Sequence, residues 1–204
     1  MKVLIIGDVM GKPGRDAMKE FLDKKKNDYD FVIVNGENAA AGFGITPKIA
    51  DEFFELGVDV ITSGNHIWDK KELYPYLDEN RNILRPLNYP KGVPGFGYTI
   101  KENGKGEKIA VINIQGRVFM PEVDSPFQRI EEAIEEIKKE TKNIIVDFHA
   151  EATSEKLAMG WYLDGRVSAV YGTHTHVQTA DERKKKKGTG FINDVGMTGS
   201  HDSI

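Results

Sequence analysis

Gly172-Thr-His-Thr-His-Val177 presents two imidazoles one residue apart, His174 and His176, directly after the β-branched and apolar run at residues 167–171. Imidazole nitrogen is the commonest protein ligand for transition metals. In an extended segment alternate side chains share a face, so both rings are expected to face one point just past a strand end. A plainer explanation is two hydrogen-bonded histidines in a polar turn. The other histidines shift the balance toward a metal. Of five in the chain, His66 follows the run at residues 58–62 after Ser63-Gly-Asn65, and His149 follows the run at residues 144–148.

Oxygen donors stand at the ends of further apolar runs. Asp8 follows residues 3–6, and Glu37 with Asn38 follows residues 31–34. Taken singly, Asp8, Asn38 or Asn65 serves equally well to cap a turn. Taken together, Asp8, Glu37, Asn38, Asn65, His66, His149, His174 and His176 are hard to explain as independent turns. They are sufficient for two metal ions sharing one carboxylate. Such a pair binds a water, lowers its pKa and clamps the attacking and leaving oxygens of a phosphoryl transfer.

The intervening elements must bring these run ends together. A continuous apolar run such as residues 3–6 suits a strand covered on both faces. Gly11, Pro13 and Gly14 are expected to form a loop, followed by a helix with Ala17, Met18, Phe21 and Leu22 on one face. Thr46-Pro47 opens a second helix and Gly57 closes it. Strand and helix alternate through residues 58–62, the pattern of a largely parallel sheet. In such sheets ligands bind beyond the carboxyl ends of the strands. A helix near residues 72–77 and a short strand near residues 83–84 come next. Residues 98–100 and 108–114 flank Asn103-Gly-Lys-Gly106 as a hairpin, so the sheets are expected to be mixed. Ser125-Pro126 opens a helix with Ile130, Ala133, Ile134 and Ile137 at core spacing, and another covers roughly residues 154–163. The basic run at residues 183–187 is expected to be a solvated turn.

Composition narrows the chemistry. The 204 residues suffice for one domain with a sizeable core, and 39% hydrophobic with 29% charged residues fits a globular protein. There is no cysteine, which excludes thiolate metal sites, disulfides and cysteine nucleophiles. A net charge of -4 argues against a stable nucleic-acid partner. No run is long enough to span a bilayer or serve as a signal sequence, and the cytoplasm is the expected location. Gly7-Asp-Val-Met-Gly-Lys-Pro-Gly14 is not a phosphate loop, because Pro13 stands where Lys12 should be followed by Ser or Thr, and its glycine spacing is not that of a dinucleotide loop.

Four motifs carry a resemblance. Gly7-Asp-Val-Met-Gly-Lys-Pro-Gly-Arg15, Val34-Asn-Gly-Glu-Asn-Ala-Ala40, Asp147-Phe-His-Ala-Glu-Ala-Thr-Ser-Glu155 and Gly172-Thr-His-Thr-His-Val-Gln-Thr-Ala180, with Gly64-Asn-His66, resemble the calcineurin-like metallophosphoesterase superfamily. Within it they resemble the bacterial YmdB-like phosphodiesterases across essentially the whole chain. The superfamily's usual Asp-x-His and Gly-Asp pairs are replaced here by Met10 and by Glu37-Asn38, as in that branch.

The resemblance implies a four-layer α/β/β/α sandwich that hydrolyses 2′,3′-cyclic and also 3′,5′-cyclic nucleotides, with a metal-bridging hydroxide as nucleophile. It implies one metal on Asp8, Glu37, Asn38 and His176, and a second on Glu37, Asn65, His149 and His174. His66 would be the general acid that protonates the leaving ribose oxygen. Ligation by nitrogen and oxygen without sulfur suits Mn²⁺, Fe or Zn²⁺ better than Ca²⁺ or Mg²⁺, and the family favours iron or manganese. Residues 1–204 are expected to be a single metallophosphoesterase domain lacking the C-terminal elements with which family members continue, and a homo-oligomer stays open. Two alternatives remain: a nucleotidase or phosphomonoesterase on the same site, and a nucleotide- or RNA-binding signalling protein with a structural metal site.

Overall fold

Residues 1–202 are described by a computed structural model of the chain. Three strands, β1 (Val3–Ile6), β2 (Phe31–Asn35) and β3 (Val60–Thr62), pair in parallel in the order β1-β2-β3. The helices α1 (Gly11–Lys25), α2 (Pro47–Glu55) and α3 (Leu73–Glu79) belong to this half. The second half contains β4 (Tyr98–Glu102), β5 (Lys108–Gln115), α4 (Pro126–Ile137), β6 (Ile144–His149), α5 (Thr153–Tyr162), β7 (Ala169–Thr173), β8 (Arg183–Lys184) and β9 (Gly190–Ile192). Its sheet has the order β4-β5-β6-β7-β9-β8, antiparallel at both edges and parallel between.

Strand alternation sorts the apolar residues into three layers. Leu4, Ile6, Val32, Val34 and Ile61 pack with Met18, Leu22 and Phe53 of the first helices. Ile112, Ile114, Val146 and Phe148 pack with Ile130, Ile134 and Met159 of α4 and α5. The opposite faces of the two sheets meet through Phe31, Ile33, Val60, Ile109, Val111, Ile145 and Tyr171. The order is therefore helix, sheet, sheet, helix, the expected α/β/β/α sandwich; its six-stranded sheet is mixed, as expected, and its three-stranded sheet is purely parallel. None of the helices among the described residues is long and apolar enough to cross a membrane.

Local differences from the sequence reading have physical causes. The glycine- and proline-containing stretch after Met10 is the first turn of α1 rather than a loop; proline is tolerated there because first-turn N–H groups lack intrahelical partners. Thr46 caps α2 through its hydroxyl to the Ile49 amide, and Gly57 leaves the helix at φ +87°. Ile83 and Leu84 form only isolated bridges. The run at residues 183–187 is not wholly solvated: it contains the edge strand β8, and Lys185 is buried with its ammonium 3.9 Å from the Trp161 ring centroid.

Candidate active site

At the carboxyl ends of the strands, the layer between the sheets changes from apolar to polar. The positions that continue the inter-sheet alternation are Asn35, Thr62, Asn113, Asp147, His149 and Thr173, all essentially buried. Asp147 is their hub. One carboxylate oxygen accepts from the hydroxyl of Thr62 and, at 3.3 Å, from the amide of Asn35, and the other accepts from the Thr173 hydroxyl at 2.7 Å. The Thr173 proton is thus committed to Asp147, so its oxygen accepts from His149 Nδ1–H at 2.9 Å. That bond fixes the tautomer and directs Nε2 away from the network.

His149 Nε2 lies 2.9 Å from Glu37 Oε1, 3.1 Å from His174 Nδ1 and 3.3 Å from Asn65 Oδ1. One donor atom each from Glu37, His149 and His174 fits within a 4.8 Å cluster, a spacing that could hold a metal ion. His174 Nε2 lies 3.2 Å from Glu151, leaving Nδ1 for that cluster. Gly64 allows the imidazole in, because a Cβ there would overlap the His149 ring.

Asp8, Asn38 and His176 form the adjoining group. Asp8 Oδ1 is 4.0 Å from His176 Nε2, and its other oxygen accepts from the His174 amide at 3.2 Å. The Asn38 amide donates to Gly42 O at 2.9 Å, which turns Oδ1 the other way. Both Asp8 Oδ1 and Asn38 Oδ1 are buried without a hydrogen-bond partner among the described residues. Orphaned buried oxygens are costly, and a cation is the partner this donor set fits.

The protein groups alone perturb one another strongly. Burial pushes the Asp8 carboxyl up to about 8, opposed by the charge on His149 and reinforced by Glu37 and Asp147. Burial also acts to raise Glu37 and lower His149, but their mutual attraction outweighs it: Glu37 falls below its usual value and His149 rises to about 9. Burial and the neighbouring His149 charge bring His174 down to about 4, and burial lowers His176. A metal ion at Glu37 and His149 would displace the proton they share.

His66 stands at the margin. Its backbone N–H donates to Glu37 Oε2 at 3.0 Å and its Nδ1 is 2.8 Å from Asp69 Oδ2. It lines a cavity of about 1010 Å³ together with Glu37, Asn38, His174 and His176. The structure therefore brings together all eight residues singled out in the sequence, but by a different route at the Gly172 motif. His174 and His176 have φ of +98° and +63°, so they sit in a left-handed turn, not an extended segment, and reach two different groups of donors. Asp194 holds that turn: it accepts from the Thr175 hydroxyl at 2.7 Å and pairs with the buried Lys156 at 2.7 Å. Sequence reasoning missed Asp69, Asp147, Thr173 and Asp194. Three positions from His66, Asp69 was findable; Asp147 and Thr173 carry the signal of polar residues on the inward alternation. Arg15, for its part, donates to the Ala39 carbonyl and braces the loop after Glu37.

A two-sheet sandwich with nitrogen and oxygen donors gathered across its strand ends is the architecture of a metal-dependent phosphoester hydrolase. The comparisons agree: residues 4–204 match the YmdB-like protein family. A 2′,3′-cyclic-nucleotide 2′-phosphodiesterase of Bacillus subtilis (strain 168) is 57% identical over 207 residues, covering 100% of this chain and 78% of that protein. A putative phosphatase/phosphodiesterase of Mycoplasma pneumoniae is 40% identical, covering 98% of this chain and 73% of its own length. Among solved structures, a hypothetical protein from Thermus thermophilus superposes with a TM-score of 0.95 at 48% identity, over 100% of this chain and 79% of that one. A novel phosphatase from Mycoplasma pneumoniae gives 0.88 at 39%, over 97% and 72%. This chain belongs to the YmdB-like family and is a hydrolase of the phosphodiesterase class, with Glu37, His149 and His174 spaced so that they could hold a metal ion.

Proposed function

We propose that the chain hydrolyses cyclic nucleotides, 2′,3′-cyclic and also 3′,5′-cyclic, at a centre for two transition-metal ions, iron or manganese. The observation that carries this reading is the pair of buried unpartnered oxygens on Asp8 and Asn38 beside the Glu37, His149 and His174 cluster. Asp8, Glu37, Asn38 and His176 would hold one ion, and Glu37, Asn65, His149 and His174 the other, with Glu37 common to both sets. The name of the Bacillus subtilis relative supports the 2′,3′-cyclic substrate. Ions bound there supply a water of lowered pKa and positive charge for the phosphoryl oxygens.

The protein's own groups do the rest. Thr173 and Glu151 hold the outer N–H groups of His149 and His174, keeping Nε2 of the first and Nδ1 of the second as lone-pair donors. Asp69 engages Nδ1 of His66, which leaves Nε2 to carry a proton to substrate. Opening a cyclic phosphodiester expels an alkoxide, a poor leaving group without a proton, and His66 gives that proton to the ribose oxygen. Its backbone bond to Glu37 fixes the acid relative to the metal centre.

Leaving-group dependence tests this assignment. His66→Ala should lower turnover of 2′,3′-cyclic AMP by about 10²–10⁴-fold and affect bis(p-nitrophenyl) phosphate far less, because nitrophenolate departs unprotonated. Equal losses on both substrates would remove the acid role. The names of the Mycoplasma relatives support a second reading, phosphomonoester hydrolysis on the same site; faster turnover of nucleoside monophosphates than of cyclic diesters would favour it.

A further inference from the structure

The cavity over the metal-ligand cluster is larger than a phosphodiester requires, and part of its wall is not polar. At about 1010 Å³ it extends from Glu37, Asn38 and the imidazoles to Met10, Val177 and Phe43. Phe43 is 58% exposed, and unlike the more exposed Phe119 it lines this cavity. It meets the His66 imidazole edge to face, with centroids 5.0 Å apart and planes inclined at 65°.

The ring is carried by a braced turn. Ala41, Gly42 and Gly44 have φ of +55°, +94° and +78°, and Ala41 is a non-glycine residue in the left-handed region, where backbone strain tends to mark functional sites. The Ala40 amide donates to Gly44 O at 2.9 Å, and the Gly42 amide to Asn38 O at 3.1 Å. The Asn38 carboxamide closes the turn on Gly42 O. One residue therefore contributes an unpartnered oxygen to the ligand cluster and, through its amide, fixes the loop bearing Phe43.

We propose that Phe43 is the platform on which the substrate's nucleobase stacks, making it a specificity-determining residue for nucleotides over other phosphodiesters. The inference rests on the cyclic-nucleotide reading and deepens it. In a cyclic nucleotide one furanose ring separates the base from the ester oxygen that His66 protonates, and Phe43 is one ring contact from His66. Stacking on a single phenyl face accepts any base, since every base has a π face, so the site should favour nucleotides without selecting sharply among them.

Binding and turnover should be measured in parallel on the manganese-loaded protein, wild type, Phe43→Ala and Phe43→Trp. The ligands are adenosine 3′-monophosphate and its counterpart with a methyl group in place of the base; the substrates are the corresponding 2′,3′-cyclic phosphates. Wild type should bind the nucleotide roughly tenfold or more tighter than the base-free ligand. Phe43→Ala should abolish that preference by weakening the nucleotide alone, and Phe43→Trp should restore it. Because Phe43 is exposed, melting temperatures should not change. Equal weakening of both ligands would assign Phe43 to supporting His66 and overturn the proposal. So would a wild type that binds both alike, or binds no nucleotide. Phe43-dependent binding without turnover of either cyclic substrate would instead sink the phosphodiesterase reading while leaving the stacking site standing.

Discussion

Replacing Thr173 by Val keeps the branched shape and removes one oxygen. That oxygen donates to Asp147 at 2.7 Å and accepts from His149 Nδ1 at 2.9 Å, and all three residues are fully buried. The change leaves one imidazole N–H and one carboxylate oxygen unpartnered without access to water. Each such group costs about 1–3 kcal/mol, so the variant should lose roughly 2–6 kcal/mol, a fall of roughly 10 °C in melting temperature for a chain of this size. His149 would also lose the bond that fixes its tautomer, weakening manganese binding by about 10–100-fold. Calorimetric unfolding and manganese titration should be run on wild type, Thr173→Val and Thr173→Ser. Serine keeps the oxygen and should track wild type in metal affinity. Valine and serine variants with the same affinity would refute the claim that this relay orients the ligand.

Two further outcomes follow from the geometry. A Cβ at Gly64 overlaps the His149 ring; Gly64→Ala should therefore strip metal and activity by displacing the imidazole, and retention of full metal content would contradict this. Far from the site, hydrogen bonds from Arg166 and then Tyr162 hold the Glu131 carboxyl down to about 2 from its ordinary 4.5. Because its folded pKa is depressed, the stabilisation is complete above about pH 5 and is lost as pH falls toward 2. A pair this open to water is worth about 1 kcal/mol, so Glu131→Gln should melt a few degrees below wild type at pH 7 and level with it near pH 2. A constant difference across that range would rule the linkage out.

Apolar run ends make most of the site legible, because strand termini in α/β sheets expose what the strands deliver. Glu37 and His149 follow fully buried runs and keep their inward alternation. Asp8, after an edge strand that is only half-buried rather than covered on both faces, and Asn65, in a 3-10 turn, are out of phase and reach the site through the turns that follow their strands. At the Gly172 motif the residues are legible and the backbone is not: sequence periodicity carries no sign that His174 and His176 adopt positive φ, which depends on Asp194 gripping Thr175 from a distant segment. Asp147 is hidden for a similar reason. One carboxylate inside a run of isoleucine and valine resembles a surface position on an edge strand until β5 and β7 are known to flank β6. Lys185 reads as solvated within its basic run because only the fold brings Trp161 and Phe191 over it.

The most direct test of the dinuclear centre is transition-metal content per chain, measured on wild type and Glu37→Gln after reconstitution with Mn²⁺ or Fe²⁺, with turnover of 2′,3′-cyclic AMP in the same samples. Wild type should hold about two ions per chain and turn over substrate; the variant, lacking the shared carboxylate, should lose metal and activity together. A wild type that stays free of metal, or a variant that keeps both ions and full turnover, would contradict the account.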